Sequence, residues 1–220
     1  MRFAVEAQPS TRTRLPRAER MEQTLMAAHA LFAERGFTAV TMDDVAAAVG
    51  VTKPLLYNYF GNKERLYLAC LEQSADLLVS TVVDAVAAAD RPADALGDGI
   101  RAFFAFVAED RSSWAVLFDE TIPSNGEIAE RVSQYREQIL AAVAGASLQH
   151  FPADRREQVR VETEALATAI LGATEALARW WLRNDTIPAS YAAELLIATI
   201  QPGLRQVSEL PDTTSGEPNP

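Results

Sequence analysis

Lys53, Pro54, Leu55, Tyr57 and Asn58 crowd a cation, a phenol, an amide and two apolar groups into one short stretch of the 220-residue chain. A helix face turned only to water carries Glu, Lys and Gln instead. At 100° per residue, Pro54 and Asn58 point away from Leu56 and Phe60, so the mixed chemistry lies opposite an apolar stripe. A lysine can meet a phosphate, an amide can pair with an adenine edge, and an apolar group can touch a thymine methyl. Lys63 follows ten residues on, at the start of another helix, where its charge and the helix N-terminus both favour a phosphate. That repertoire suits the major groove of a duplex.

Local signals say which elements hold these side chains. Thr41 is placed to cap a helix, with Asp44 three residues on as a capping box that has Asp in place of Glu or Gln. Val40 and Val45 fit a hydrophobic staple, and Gly50 stops the helix because a left-handed residue closes a helix end sharply. Thr52 caps the next helix, Val51 and Leu56 form a second staple, and Pro54 falls in the first turn, where its missing N–H matters little. Val45, Val49, Leu56 and Phe60 turn one stripe from each helix towards a shared core. The pattern predicts a helix-turn-helix. Ahead of it, a helix from about Arg17 to Arg35 carries Met21, Leu25, Ala28 and Phe32 on one face, and Gly36 ends it.

The run Leu25-Met-Ala-Ala-His-Ala-Leu-Phe-Ala-Glu-Arg-Gly-Phe37, followed by Thr41, Val45-Ala46, Gly50-Val51-Thr52, Leu56-Tyr57, Phe60 and Lys63-Glu64, resembles the DNA-binding domain of TetR-type transcriptional regulators. The likeness covers residues 17 to 77. It implies an all-α fold: an N-terminal three-helix helix-turn-helix domain and a C-terminal helical domain for ligand binding and dimerisation. It also implies a homodimeric repressor that leaves a palindromic operator when a small lipophilic effector binds. Duplex contacts are then expected from Thr41, Thr52, Lys53, Pro54, Leu55, Tyr57, Asn58, Tyr59 and Lys63. Pro54 stands where Gly is common, and Asn58-Tyr59 replaces a frequent aromatic–His pair, which leaves base preference open.

Net charge is −10, which taken alone opposes a nucleic-acid partner. Residues 1–70, however, hold nine bases against seven acids, while the rest holds eleven against twenty-three. Both lysines of the chain lie in the motif. An acidic body would thus repel a duplex and leave only the amino end attractive.

Domain limits follow as a flexible arm (1–14), the helix-turn-helix domain (15–62), a helical body (63–209) and a disordered tail (210–220). Arg12, Arg14 and Arg17 could lie along phosphates or enter a minor groove; an ordinary solvated tail accounts for them equally well. In the body, helices are expected over 62–89, 92–110, 127–149 and 155–184, with a last one from 187 that Pro202-Gly203 should kink or end. Small residues on one side of the 155–184 helix (Ala165, Ala169, Gly172, Ala173, Ala176) suit close approach by a twin subunit in a four-helix bundle. Two recognition helices would then meet grooves about 34–36 Å apart.

Phe103, Phe104, Trp114, Phe118, Tyr135 and Trp181 cluster in the body, and Thr174, Glu175 or Tyr135 could orient a ligand among them. Each aromatic taken singly is better explained by ordinary core; the family resemblance implies that the set lines a pocket. Cys70 stands alone, so no intrachain disulfide forms, and His29 and His150 are far apart, so no zinc site or other cofactor is expected. No phosphate loop, Gly-x-Ser-x-Gly elbow or His/Asp pair with a nucleophile occurs, and an enzyme is not expected. No secretory signal and no apolar run near 20 residues is seen, which points to a cytoplasmic protein without a membrane partner. The alternative function is a DNA-binding dimer whose body only dimerises or docks a protein.

Overall fold

The computed structural model describes residues 16–91, 93–149, 151–184 and 186–208. The expected arm and tail lie outside them, with Arg12 and Arg14. Among the described residues the chain is all helical, with no strand: α1 (Arg17–Ala39), α2 (Met42–Val49), α3 (Lys53–Phe60), α4 (Lys63–Ala87), α5 (Ala95–Glu109), α6 (Arg111–Leu117), α7 (Glu127–Leu148), a 3₁₀ turn at Ala153–Arg155, α8 (Arg160–Asn184) and α9 (Ala189–Ser208).

The punctuation falls where the residue types place it. Gly36 sits at φ 75° and kinks α1 before its last residues. Thr41 and Asp44 form a complete reciprocal capping box, and Gly50 closes α2 in the left-handed region at φ 70°. Thr52 occupies the N-cap position of α3, but its hydroxyl makes no capping hydrogen bond, which leaves it on the surface.

Two hydrophobic cores organise the chain. The first joins Phe32, Phe37, Val45, Leu56 and Phe60 to Leu66, Tyr67 and Leu71 of α4, and to Val116 and Ile128. The second gathers Leu78 and Val82 of α4 with α5, α7, α8 and α9 around Phe104, Val107, Ile170 and Ala193. Because α4 enters both cores, the expected boundary at 62/63 does not separate packing units: the first turns of α4 belong with the head. By length and composition alone α4 could cross a membrane, in contrast to the sequence expectation; here its apolar side chains Leu66, Leu71, Leu78 and Val82 are buried between the two cores.

Three boundaries differ from expectation. α5 begins at Ala95 and α8 at Arg160, each a few residues late. α9 continues through Pro202 to Ser208 rather than ending there. A proline removes one donor and crowds the carbonyl four residues back. Pro202 and Ala198 are both exposed, so the break falls where solvent can satisfy that carbonyl.

Head and body also meet through polar groups. The His29 ring of α1 hydrogen-bonds Ser74 Oγ of α4 through Nε2 at 2.9 Å, Ser74 bonds Ser113 of α6 at 3.0 Å, and Ser113 donates to Asp110 at 2.6 Å. Burial lowers the pKa of His29 while the Asp110 charge acts the other way. Cys70 is buried, and burial pushes its thiol up to about 12, so it is unreactive at neutral pH.

Candidate nucleic-acid interface and effector cavity

α3 is anchored by Leu56, which is fully buried, and by Phe60. Burying one leucine contributes about 1.5–3 kcal/mol, enough to fix which side of so short a helix faces out. Thr52, Lys53, Pro54, Tyr57 and Asn58 are therefore exposed together, with Leu55 half-buried at their edge and Thr41 exposed at the start of α2. Lys53 Nζ reaches Asp43 Oδ2 at 2.7 Å, tying the start of α3 to the first turn of α2. That hydrogen bond raises the lysine pKa and keeps it charged. Both partners are well exposed, so a phosphate can compete for the ammonium with little loss.

Two expected contacts turn inward. Tyr59 packs against the head core, and the Arg17 guanidinium lies 5.4 Å from its ring centroid. Arg17 thus opens α1, and its guanidinium lies beside the recognition helix. Lys63 Nζ donates to the Phe37 carbonyl at 3.0 Å and sits 4.3 Å from the centre of the Phe37 ring. Its ammonium holds the end of α1, a duty that spacing alone did not reveal.

In the body, two narrow cavities lie in file between α4, α5, α7 and α8. The first, about 50 Å³, is bounded by Leu71, Ala75, Leu78, Phe103, Leu117, Phe118, Val132, Tyr135, Arg136 and Glu175. The second, about 20 Å³, is lined by Val82, Val86, Gly99, Ile100, Val143, Ile170 and Thr174. Phe103, Ile139 and Leu171 border both and form the partition. Gly99 permits this narrowness, since a Cβ there would stand 2.8 Å from Val86 Cγ2.

Of the expected lining residues, Phe103, Phe118, Tyr135 and Thr174 face a cavity. Phe104, Trp114 and Trp181 line neither and belong to the core. Phe104 is fully buried beside Phe103, Trp114 stacks behind Phe118 at 3.8 Å, and Trp181 donates its indole N–H to the Ile187 carbonyl at 2.8 Å. Helix phase separates Phe103 from Phe104: the two diverge by about 100°, so one borders the cavities and the other enters the core. Polar roles shift as well. Thr174 donates to its own helix at Ile170 O, 2.7 Å away. The Tyr135 hydroxyl donates outward to Asp76 at 2.8 Å, and burial, aided by that bond, pushes the phenol up to about 12. The charge in the cavity is instead an ion pair, Arg136 Nη1 to Glu175 Oε1 at 2.6 Å, with Glu175 nearly buried. Arg136 carried no sequence signal, because a lone arginine on α7 looks like any solvated residue.

Comparison with known proteins decides the lineage. Residues 25–70 match the family model described as bacterial regulatory proteins, tetR family, and residues 92–202 match the tetracyclin repressor-like C-terminal domain. The chain is 33% identical over 174 residues to the HTH-type transcriptional activator FasR of Mycolicibacterium smegmatis, covering 78% of this chain and 76% of that protein. This chain belongs to the TetR family. Among solved structures, a TetR-like transcriptional regulator from Rhodococcus sp. RHA1 superimposes with a TM-score of 0.72 at 30% identity, over 87% of this chain and 98% of that one. The transcriptional regulator FadR from Bacillus subtilis in complex with stearoyl-CoA superimposes with a TM-score of 0.68 over 83% and 98%, at 17% identity, and so shares the fold. As a TetR-family regulator, this protein carries its DNA-binding helix-turn-helix at α2–α3 and its second family domain from α5 to α9.

Proposed function

We propose that this TetR-family regulator binds a near-palindromic operator as a cytoplasmic homodimer and acts as a repressor released by a lipophilic effector with a slender aliphatic chain. The observation that carries the effector reading is the file of two mostly apolar cavities in the body. At about 50 and 20 Å³ they fall far below the roughly 300–1,000 Å³ of an occupied ligand site. A ligand would have to widen them, and would favour a wider state in proportion to its preference for it. The stearoyl-CoA bound by the structural neighbour carries such an aliphatic chain, joined to a bulkier coenzyme A group.

Duplex contact is assigned to Lys53, Pro54, Leu55, Tyr57 and Asn58, flanked by Thr41 and Thr52. Tyr59 and Lys63 act behind them by packing and by holding α1. The homodimer is supported by an uncovered stripe on α8, with Val161, Ala165, Ala169, Ala173, Ala176 and Trp180 exposed, continued on α9 by Tyr191 and Leu195. Such a stripe on a soluble domain calls for a partner.

Thermal shift and operator gel-shift titrations with saturated acyl chains of increasing length test the reading. A matching chain should raise the melting temperature saturably and displace operator DNA. Stabilisation by no member of the series would sink the effector half. The smallness of both cavities favours a second reading, in which the body only dimerises or docks a protein. A reporter gene behind the operator separates repression from activation by the sign of its response.

A further inference from the structure

The kinked end of α1 is held by a loop of the body. The Phe37 amide donates to Asp119 Oδ2 at 2.6 Å, the Thr38 amide to Thr121 Oγ1 at 3.2 Å, and the Thr38 hydroxyl to the Thr121 carbonyl at 2.9 Å. The loop is braced internally, since the Thr121 amide donates to Asp119 Oδ1 at 2.8 Å. It is braced from α4 too, where the buried Tyr67 hydroxyl donates to the Val116 carbonyl at 2.6 Å. Gly36 lies so close that a Cβ there would stand 2.9 Å from Thr121 Oγ1.

These groups join the two sites by a short covalent path. Leu117 and Phe118 border the larger cavity, and Asp119 is the next residue. Leu117 packs against both cores. Phe37 and Thr38 stand four and three residues before Thr41, the cap of α2, so the α2–α3 unit takes its bearing from residues that Asp119 and Thr121 hold. With Lys63 on its carbonyl and Asp119 on its amide, the Phe37 peptide is gripped from both sides.

We propose that Asp119, assisted by Thr121, is the positioning residue that sets the recognition helix according to whether the cavity beneath Phe118 is filled. The inference deepens the effector reading and rests on it. A chain entering the cavity must displace Phe118. Trp114 blocks one face of that ring at 3.8 Å, so the displacement is passed to the 119–121 segment. The head amides follow the carboxylate because a hydrogen bond at 2.6 Å to a charged acceptor is stronger than its neutral counterpart. Coupling here needs no bending of α4.

The test uses the full-length dimer and fills the cavity by mutation, so that it does not depend on knowing the effector. Ala75 is buried and borders the cavity, and A75L should push its walls apart as a ligand would. V132F, from a half-buried wall position, is the second filler should A75L fold poorly. In the wild-type background a filler should weaken operator binding by about tenfold, within the usual span of allosteric coupling, and speed hydrogen exchange at the Phe37 and Thr38 amides. In D119A the filler should change operator affinity less than about twofold. D119N, which keeps one carbonyl acceptor, should retain part of the response. An equal effect of the filler in wild type and D119A overturns the proposal, as does a well-folded filler that leaves operator affinity untouched. A merely structural Asp119 would lower the melting temperature without altering that ratio. Stearoyl-CoA and free stearate are titrated in parallel: if neither binds while the mutational coupling holds, only the ligand assignment fails.

Discussion

The head and the body solve opposite problems with the same kind of helix. α3 buries Leu56 and Phe60 and turns its chemistry outward on a helix of eight residues. The body turns its chemistry inward, where five helices line two small apolar cavities and one ion pair. A surface site needs only correct caps and one stripe. An internal site needs the mutual fit of every wall, and a ligand can change that fit. On the proposed function, that difference would place recognition on the exposed element and response in the packed one.

The comparison breaks first at Leu56. L56A should destabilise the head by about 2–5 kcal/mol and abolish operator binding, while hydrogen exchange in α5 and α8 stays slow. Equal loosening of α5 and α8 would show that the cores shared by α4 melt as one. F103A is the counterpart in the body. It should cost about 3–5 kcal/mol and, by removing the partition between the cavities, favour longer acyl chains over shorter ones in the thermal-shift series. An unchanged order of chain lengths would mean that Phe103 does not divide the site.

A smaller effect is expected at the outer face. N58A should lower specific binding by about 1–3 kcal/mol and leave affinity for random duplex unchanged; equal losses on both would remove Asn58 from base recognition. The mildest test concerns the joint between head and body. The folded joint lowers the pKa of His29 below 6.5, so the unfolded chain binds that proton more readily. The stabilisation is complete above pH 6.5 and is lost as pH falls through the folded value. Urea titrations of H29Q should show a flatter dependence of stability on pH just below 6.5 than wild type, and an identical slope would rule out this linkage.

What could be read from residues alone was whatever short-range physics controls. The capping box at Thr41 and Asp44, the left-handed Gly50 and the outward face of α3 depend on neighbours within four positions, whereas Gly36, expected to end α1, only kinks it. Body helices could be located by apolar period. Their phase about one another could not, and it is packing that puts Phe104, Trp114 and Trp181 in the core beside the cavities.

The sequence by itself determined that the described residues are helical, where α2 and α3 start and stop, and that α3 turns Lys53, Pro54, Tyr57 and Asn58 to solvent, because these follow from backbone stereochemistry and the 3.6-residue repeat. Only tertiary packing decided that Lys63 and Tyr59 serve the head from within, that Arg136 and Glu175 pair inside the body, and that Asp119 grips the Phe37 amide. Asp119 and Phe37 stand 82 positions apart. No local rule joins such residues; the burial of two cores brings them together.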